Sequence, residues 1–316
     1  MQKELPFSLE VPLNSYTYYG YNLGILLSRG YNVKGLLYNH FTTLVYGGRL
    51  DYLIFLEGFP GGGKVGKLFP SESIKDYTDD PIALFKGLLD KDKYIIIYLN
   101  HKMITNFSEQ FDWFHEWLLF GYDENSFTAA GYVDEFDKGA LIYKVVKISF
   151  EDFIQSLPLN RKNSKWTIKV PTDLSITPIN LKKIKRDIFL YAYNLLPFIF
   201  NANIYRKYAT VFRRKHSKGV GEFDLRPLKV LKEHKQLLLQ MMIDLSPDGD
   251  AAREYKKIVT LANQILMIAL KCNFAKHDQQ KTIDSICNKL CKLREEEPKI
   301  MRLFYRELKR TRINHQ

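Results

Sequence analysis

No cysteine precedes Cys272, and the three that exist, Cys272, Cys287 and Cys291, all fall near the C-terminal end. This excludes a disulfide framework and a thiolate nucleophile over most of the chain. Cys287 and Cys291 share a helix face by their spacing, but with no second ligand pair nearby they read as small apolar core residues rather than zinc ligands. Long apolar runs are also missing. "YIIIYL", "LLPFIF" and "ILMIAL" extend for about six residues, against the roughly 18 that span a bilayer. The opening "MQKELPFSLEVPLNS" lacks an apolar stretch of signal-peptide length, so the expected location is the cytoplasm and no membrane partner is expected. There is no fixed-period repeat and no low-complexity tract.

What the chain does have is material for a core: 316 residues, 46% hydrophobic and 14% aromatic, enough for one large domain or two ordinary ones. Its charge is divided. Residues 1–160 hold 14 Lys and Arg against 20 Asp and Glu, whereas 161–316 hold 33 against 15. The asymmetry points to two modules, the second facing an acidic partner or simply water. Nucleic acid is the weaker candidate for that partner, because no recognition motif accompanies the charge.

Periodicity divides the chain in the same way. "YYGYNLGILLSRGYNVKGLLY" predicts a helix and a turn. "RLDYLIFLE", "KYIIIYLNH" and "LIYKVVKISF" predict strands, and "HEWLLFGYDENSFTAAGYV" predicts a hairpin of strands 115–121 and 126–133. Ser149 is placed to cap a short helix, with Asp152 at its third position. The polar stretch 158–183 reads as a boundary, and beyond it the pattern is helical almost throughout, interrupted by the loop "SPDGD". The expected architecture is an α+β domain with a largely antiparallel sheet over 1–165, followed by an all-helical domain over 166–316.

Two stretches invite chemistry. "EGFPGGGKVGK" (57–67) follows a strand and almost spells a phosphate-binding loop. Val65, however, has no oxygen for Mg²⁺ where such a loop places Ser or Thr, and no helix start follows. The glycines, with Lys64 and Lys67 among them, then read as a mobile or tightly turned loop between a strand and an acidic segment. The second stretch is "FHEWLLFGYDENSFTAAGYVDEF", in which His115 opens a strand among Trp113, Phe114 and Trp117. Imidazole suits proton transfer near neutrality, and a satisfied structural histidine is the alternative. His40 in "YNHF" reads as structural.

This histidine segment resembles that of papain-like proteins of the bacteriocin-processing peptidase type, and more closely the butirosin biosynthesis protein H family of natural-product gene clusters. "RGYN" (29–32), the glycine-rich 58–66, "YIIIYLN", "KVVKISFEDFIQSL" and "FDLRPLKVLKEHKQLLLQMM" follow in the family's order. The resemblance implies a papain-like fold and a general base at His115. It also implies a nucleophilic Cys at the N-terminal end of the first helix, where this chain has "LNSYTYYGYNLGILL". Counting back from Gly30 by the family's spacing lands near Thr17, with Ser15 and Tyr18 as neighbours, so an oxygen nucleophile would have to replace sulfur. The carboxylate expected after the turn is also displaced, since Ala130 and Gly131 take its positions and Asp134 follows late. Asn100, at the end of the neighbouring strand, is a candidate to orient His115 or to supply an oxyanion donor. Tyr18, Tyr19, Lys64, Trp113 and Tyr132 are candidates for substrate contact.

The function implied by the resemblance is acyl or aminoacyl transfer, amide-forming or hydrolytic, in peptide or polyketide natural-product biosynthesis. The alternative is a catalytically inactive scaffold or binding protein of the same fold. No metal or resident cofactor is expected. The acyl group would arrive on the phosphopantetheine arm of an acidic acyl or peptidyl carrier protein, drawn to the basic second half. The substrate itself would be a small molecule or a peptidyl chain.

Overall fold

The computed structural model describes residues 2–47, 52–55, 71–74, 80–104, 114–134, 141–157, 166–169, 178–196, 201–216, 223–275 and 279–310. The glycine-rich stretch 57–67 with Lys64 and Lys67, and Trp113, lie outside these residues. The chain forms two compact units: Met1–Val33 with Val65–Ile176, and Lys34–Lys64 with Thr177–Gln316. Residues 34–64, which the division at 165 assigns to the first domain, thus belong with the C-terminal helices.

The first unit is mixed α/β. Among the described residues its sheet has seven strands: β1 (Lys3–Glu4), β4 (Ser71–Ile74), β5 (Tyr94–Asn100), β6 (Phe114–Tyr122), β7 (Ser126–Asp134), β8 (Leu141–Ser149) and β9 (Trp166–Lys169). They run in the order β4-β9-β5-β6-β7-β8, and β1 pairs with the far end of β6. Every pairing is antiparallel. Strand β5 is nearly all apolar and is buried except at Tyr98; a strand inaccessible on both faces needs cover on both. Among the described residues, this unit has the α-helices α1 (Thr17–Ser28), α3 (Pro81–Asp90) and α4 (Phe150–Ser156).

Local chemistry sets these elements. Asp80 accepts from Ala83 N at 2.9 Å, and Pro81 starts α3 where its missing N–H costs nothing. Ser149 caps α4 as its sequence predicts, accepting from Asp152 N at 3.0 Å and donating to the Asp152 carboxylate at 2.7 Å. The β6–β7 turn is tied by Asp123, which accepts from Asn125 N, Ser126 N and Ser126 Oγ at 2.8–3.0 Å. Lys147, with these donors, holds its carboxyl well below the usual carboxylate range.

The second unit is helical, with one added hairpin. It contains α2 (Lys34–His40), β2 (Leu44–Gly47) paired with β3 (Tyr52–Phe55), then α5 (Leu181–Ala192), α6 (Ile204–His216), α7 (Arg226–Leu245), α8 (Asp250–Ala275) and α9 (Gln279–Arg310). The early segment is anchored by polar contacts. Tyr38 donates to Asp244 at 2.6 Å, Lys34 pairs with the same carboxylate at 2.7 Å, and Asn39 bonds Pro178 O and Asn180 N.

At the centre of this unit sits a buried ionic cluster. Lys235 and Glu297 are inaccessible and 2.8 Å apart. The Lys235 ammonium also donates to Tyr191 Oη at 3.1 Å and to His234 Nδ1 at 2.9 Å. The His234 Nε2 lies 2.9 Å from Thr42 O, so it carries the ring proton and leaves Nδ1 as acceptor. Tyr205 and Tyr255 donate to the Glu297 carboxylate. Burial lowers the Lys235 pKa, and burial with the adjacent Lys235 charge keeps His234 neutral.

Candidate functional site

Thr17, the first residue of α1, follows Tyr16, whose side chain makes no cap hydrogen bond. The Thr17 hydroxyl does not serve the helix end either. It donates to Glu116 Oε2 at 2.7 Å, and Tyr98 donates to the other oxygen, Oε1, at 2.5 Å. The sheet explains this meeting, because Tyr98 and Glu116 are directly opposed on β5 and β6 and cross-strand partners share a face. One turn along α1 from Thr17, Tyr21 donates to the main-chain carbonyl of Glu116 at 2.7 Å. Helix and strand are therefore joined at both the side chain and the backbone of one residue. Burial is the main cause of the raised pKa of Tyr21, and burial with the Glu116 contact raises that of Tyr98, so both phenols stay protonated donors.

His115 Nδ1 lies 3.0 Å from the same Glu116 carbonyl. A carbonyl only accepts, so Nδ1 bears the proton and, in the neutral ring, Nε2 bears the lone pair. His115 is half-buried. Its ring lies 5.8 Å from that of His101 and 6.2 Å from that of Tyr132, centroid to centroid. His101 packs in turn on Trp117, at 5.1 Å.

Asn100 occupies the end of β5 as expected, but its side-chain oxygen accepts from Lys102 N at 3.0 Å, capping the short 3-10 turn His101–Met103. His101, the first residue of that turn, is buried. Burial, then the nearby His115, lowers its pKa to about 4. Unfolded, it would titrate near 6.5. A lowered histidine pKa gives stability that is complete above pH 6.5 and is lost as pH falls towards 4. The first unit should therefore lose about 3 kcal/mol across that window. In urea titrations at successive pH values, His101→Phe should flatten the slope, and an equally steep slope in the variant would assign it to other groups.

The remaining candidates are spread around this centre. Ser15 is buried just before α1. The rings of Tyr18 and Tyr19 lie 4.3 Å apart, centroid to centroid, and tilted; Tyr19 is 1% exposed, so its ring serves packing, while Tyr18 is half-buried. Tyr132 is buried, 5.4 Å from the ring of Tyr143. His40 is buried on α2 of the second unit. Cys272 and Cys287 are buried and Cys291 is exposed; the Cys287 thiol points at Ala209 O, and burial raises its pKa.

Glu116 and Tyr98 complete the cluster without having been singled out from sequence. For Glu116 a signal existed: it sits beside His115 at the mouth of an otherwise apolar strand, where two adjacent ionisable side chains must point to opposite faces. Among the described residues, no group of three or more His, Cys, Asp or Glu side chains is arranged to hold a metal ion, and no helix is long and apolar enough to cross a membrane. No family model matches the chain, and no curated protein resembles it at a significant level.

Proposed function

We propose that the first unit is a papain-like domain that transfers or hydrolyses acyl or aminoacyl groups delivered as thioesters, in a peptide or polyketide natural-product pathway. The observation that carries this reading is the 2.7 Å hydrogen bond from Thr17, at the start of α1, to the strand that bears His115. A nucleophile on a helix N-terminus against a histidine-bearing antiparallel strand is the arrangement the resemblance implies, with a hydroxyl in place of the thiol. Thr17 Oγ1 would capture the acyl group, and an amine or water would then release it. The donor would be an acidic carrier protein steered by the basic second half of the chain.

The alternative, a scaffold of the same fold that binds the carrier without chemistry, draws on a different observation. No Cys precedes Cys272, and Ala130 and Gly131 stand where the resemblance implies a carboxylate.

The discriminating experiment is incubation with an acyl carrier thioester, followed by intact mass measurement. The acyl-transfer reading expects a mass gain of one acyl group, retained in Ser15→Ala and Thr17→Ser but lost in Thr17→Ala. Turnover without an adduct, abolished by His115→Ala, would move the chemistry to general-base catalysis on a bound substrate. Carrier binding that weakens with salt, with neither adduct nor turnover, would establish the scaffold.

A further inference from the structure

We infer that Glu116 is the group that takes the proton of Thr17 during acyl capture, with Tyr98 as the residue that positions it; the inference rests on the acyl-transfer reading above. A general base must lie within hydrogen-bond reach of the proton it removes. The Thr17 hydroxyl has one proton, and it points at Glu116 Oε2. Thr17 is 6% exposed, so little water competes for that proton. The carboxylate is held from its other side by Tyr98, and its residue is fixed through the backbone by Tyr21 and His115. Adjacent strand residues point to opposite faces. The Glu116 side chain meets α1, whereas the His115 ring packs beside His101. His115 therefore acts on the site through the Glu116 carbonyl.

The step balances with these groups alone. As Thr17 Oγ1 bonds to the thioester carbonyl carbon, its proton moves to Glu116 Oε2 and the carbonyl electron pair moves onto oxygen. Collapse restores the C=O bond and breaks the C–S bond. The departing thiolate takes the proton from the Glu116 carboxylic acid, leaving a Thr17 ester and a free thiol. In release, an amine or water bonds to the ester carbon and gives its proton to Glu116, which returns it to Thr17 Oγ1 as the C–O bond breaks.

The test is single-turnover acylation of the full chain by a carrier thioester, read by intact mass between pH 5 and 9. Glu116→Gln keeps an oxygen that can accept from Thr17 but cannot take a proton. It should slow acylation by about 100-fold, the lower range for loss of a general base, and flatten the pH dependence. Tyr98→Phe should slow it less and displace the pH profile. The antisymmetric carboxylate band of the unliganded protein, in infrared difference spectra of Thr17→Val and Tyr98→Phe against wild type, should shift in both variants. That readout needs no turnover, and an unmoved band would overturn the inference. So would Glu116→Gln acylating at the wild-type rate while His115→Gln does not, a result that leaves the acyl-transfer reading intact with histidine as base. Absence of any adduct on the wild-type chain overturns the reading itself, and this inference with it.

Discussion

Replacing Lys235 by Met is expected to destabilise the helical unit by about 3–5 kcal/mol, the range for breaking a buried ion pair from one side. The ammonium has three N–H groups and meets three acceptors, Glu297, Tyr191 Oη and His234 Nδ1. Methionine fills a similar volume but leaves the Glu297 carboxylate buried without its ammonium partner, facing the neutral phenol donors Tyr205 and Tyr255. Such a loss is a large share of the roughly 5–15 kcal/mol that holds a domain together. At a urea dependence of about 1–3 kcal/mol per molar, the midpoint should drop by 1 M or more. Adding Glu297→Gln removes the second charge, so Lys235→Met/Glu297→Gln should recover much of the loss. A double-mutant cycle should give a coupling of about 2 kcal/mol or more. Additive single costs would mean that the pair is not coupled as its geometry indicates.

Gly131→Ala is the second substitution expected to act strongly. A Cβ at residue 131 would stand 2.5 Å from Trp117 Cε3 and 2.7 Å from Cζ3, well inside van der Waals contact. Trp117 is fully buried and packed against His101, so its ring has no open direction to take. Overpacking of this kind costs about 1–3 kcal/mol. It outweighs the roughly 0.4–1 kcal/mol gained when alanine restricts the unfolded chain relative to glycine. Urea unfolding followed by tryptophan fluorescence and near-ultraviolet circular dichroism reads both stability and the ring's setting. Trp117→Leu in the Gly131→Ala background should restore part of the loss. An unchanged midpoint and an unchanged aromatic spectrum would show that the ring moves freely. The same contact bears on the carboxylate expected near residues 130 and 131: at 131 the indole already occupies the space that a side chain would need.

Much of the architecture was legible because its signals are local. "KYIIIYLN" became β5, the hairpin appeared as Phe114–Tyr122 and Ser126–Asp134, and Ser149 with Asp152 started α4. What was not legible depends on distant partners. The segment after α1 held a second helix, Lys34–His40, and the strand Tyr52–Phe55 joined a separate two-stranded pairing. Nothing within 34–55 announces that its polar anchors are Asp244, Pro178 and His234. The buried ion pair had a readable signature that composition alone conceals. Lys235 lies on the stripe Leu228, Leu231, Leu238, Met242, and Glu297 on Leu290, Leu293, Ile300, Met301, both at helical spacing among buried residues. A charged residue on an apolar face is seldom there without a partner. The chemistry around Thr17 was half legible: the segment could be located, but the cross-strand opposition of Tyr98 and Glu116 exists only once β5 and β6 are in register.

The way the chain leaves the first unit at Val33 and returns at Val65 sets a timetable for synthesis. As the polypeptide leaves the ribosome, Tyr38 and Thr42 emerge early, yet their hydrogen-bond partners Asp244 and His234 are encoded 206 and 192 residues downstream. The first unit's segments are complete once residue 176 is out, while the excursion 34–64 still waits for helices not yet made. Closing so long a loop adds little to the entropy cost, which grows only logarithmically with length. What it adds is delay, and with it a period in which Leu36, Leu37, Phe41 and Phe55, all buried in the finished protein, are exposed to other nascent chains.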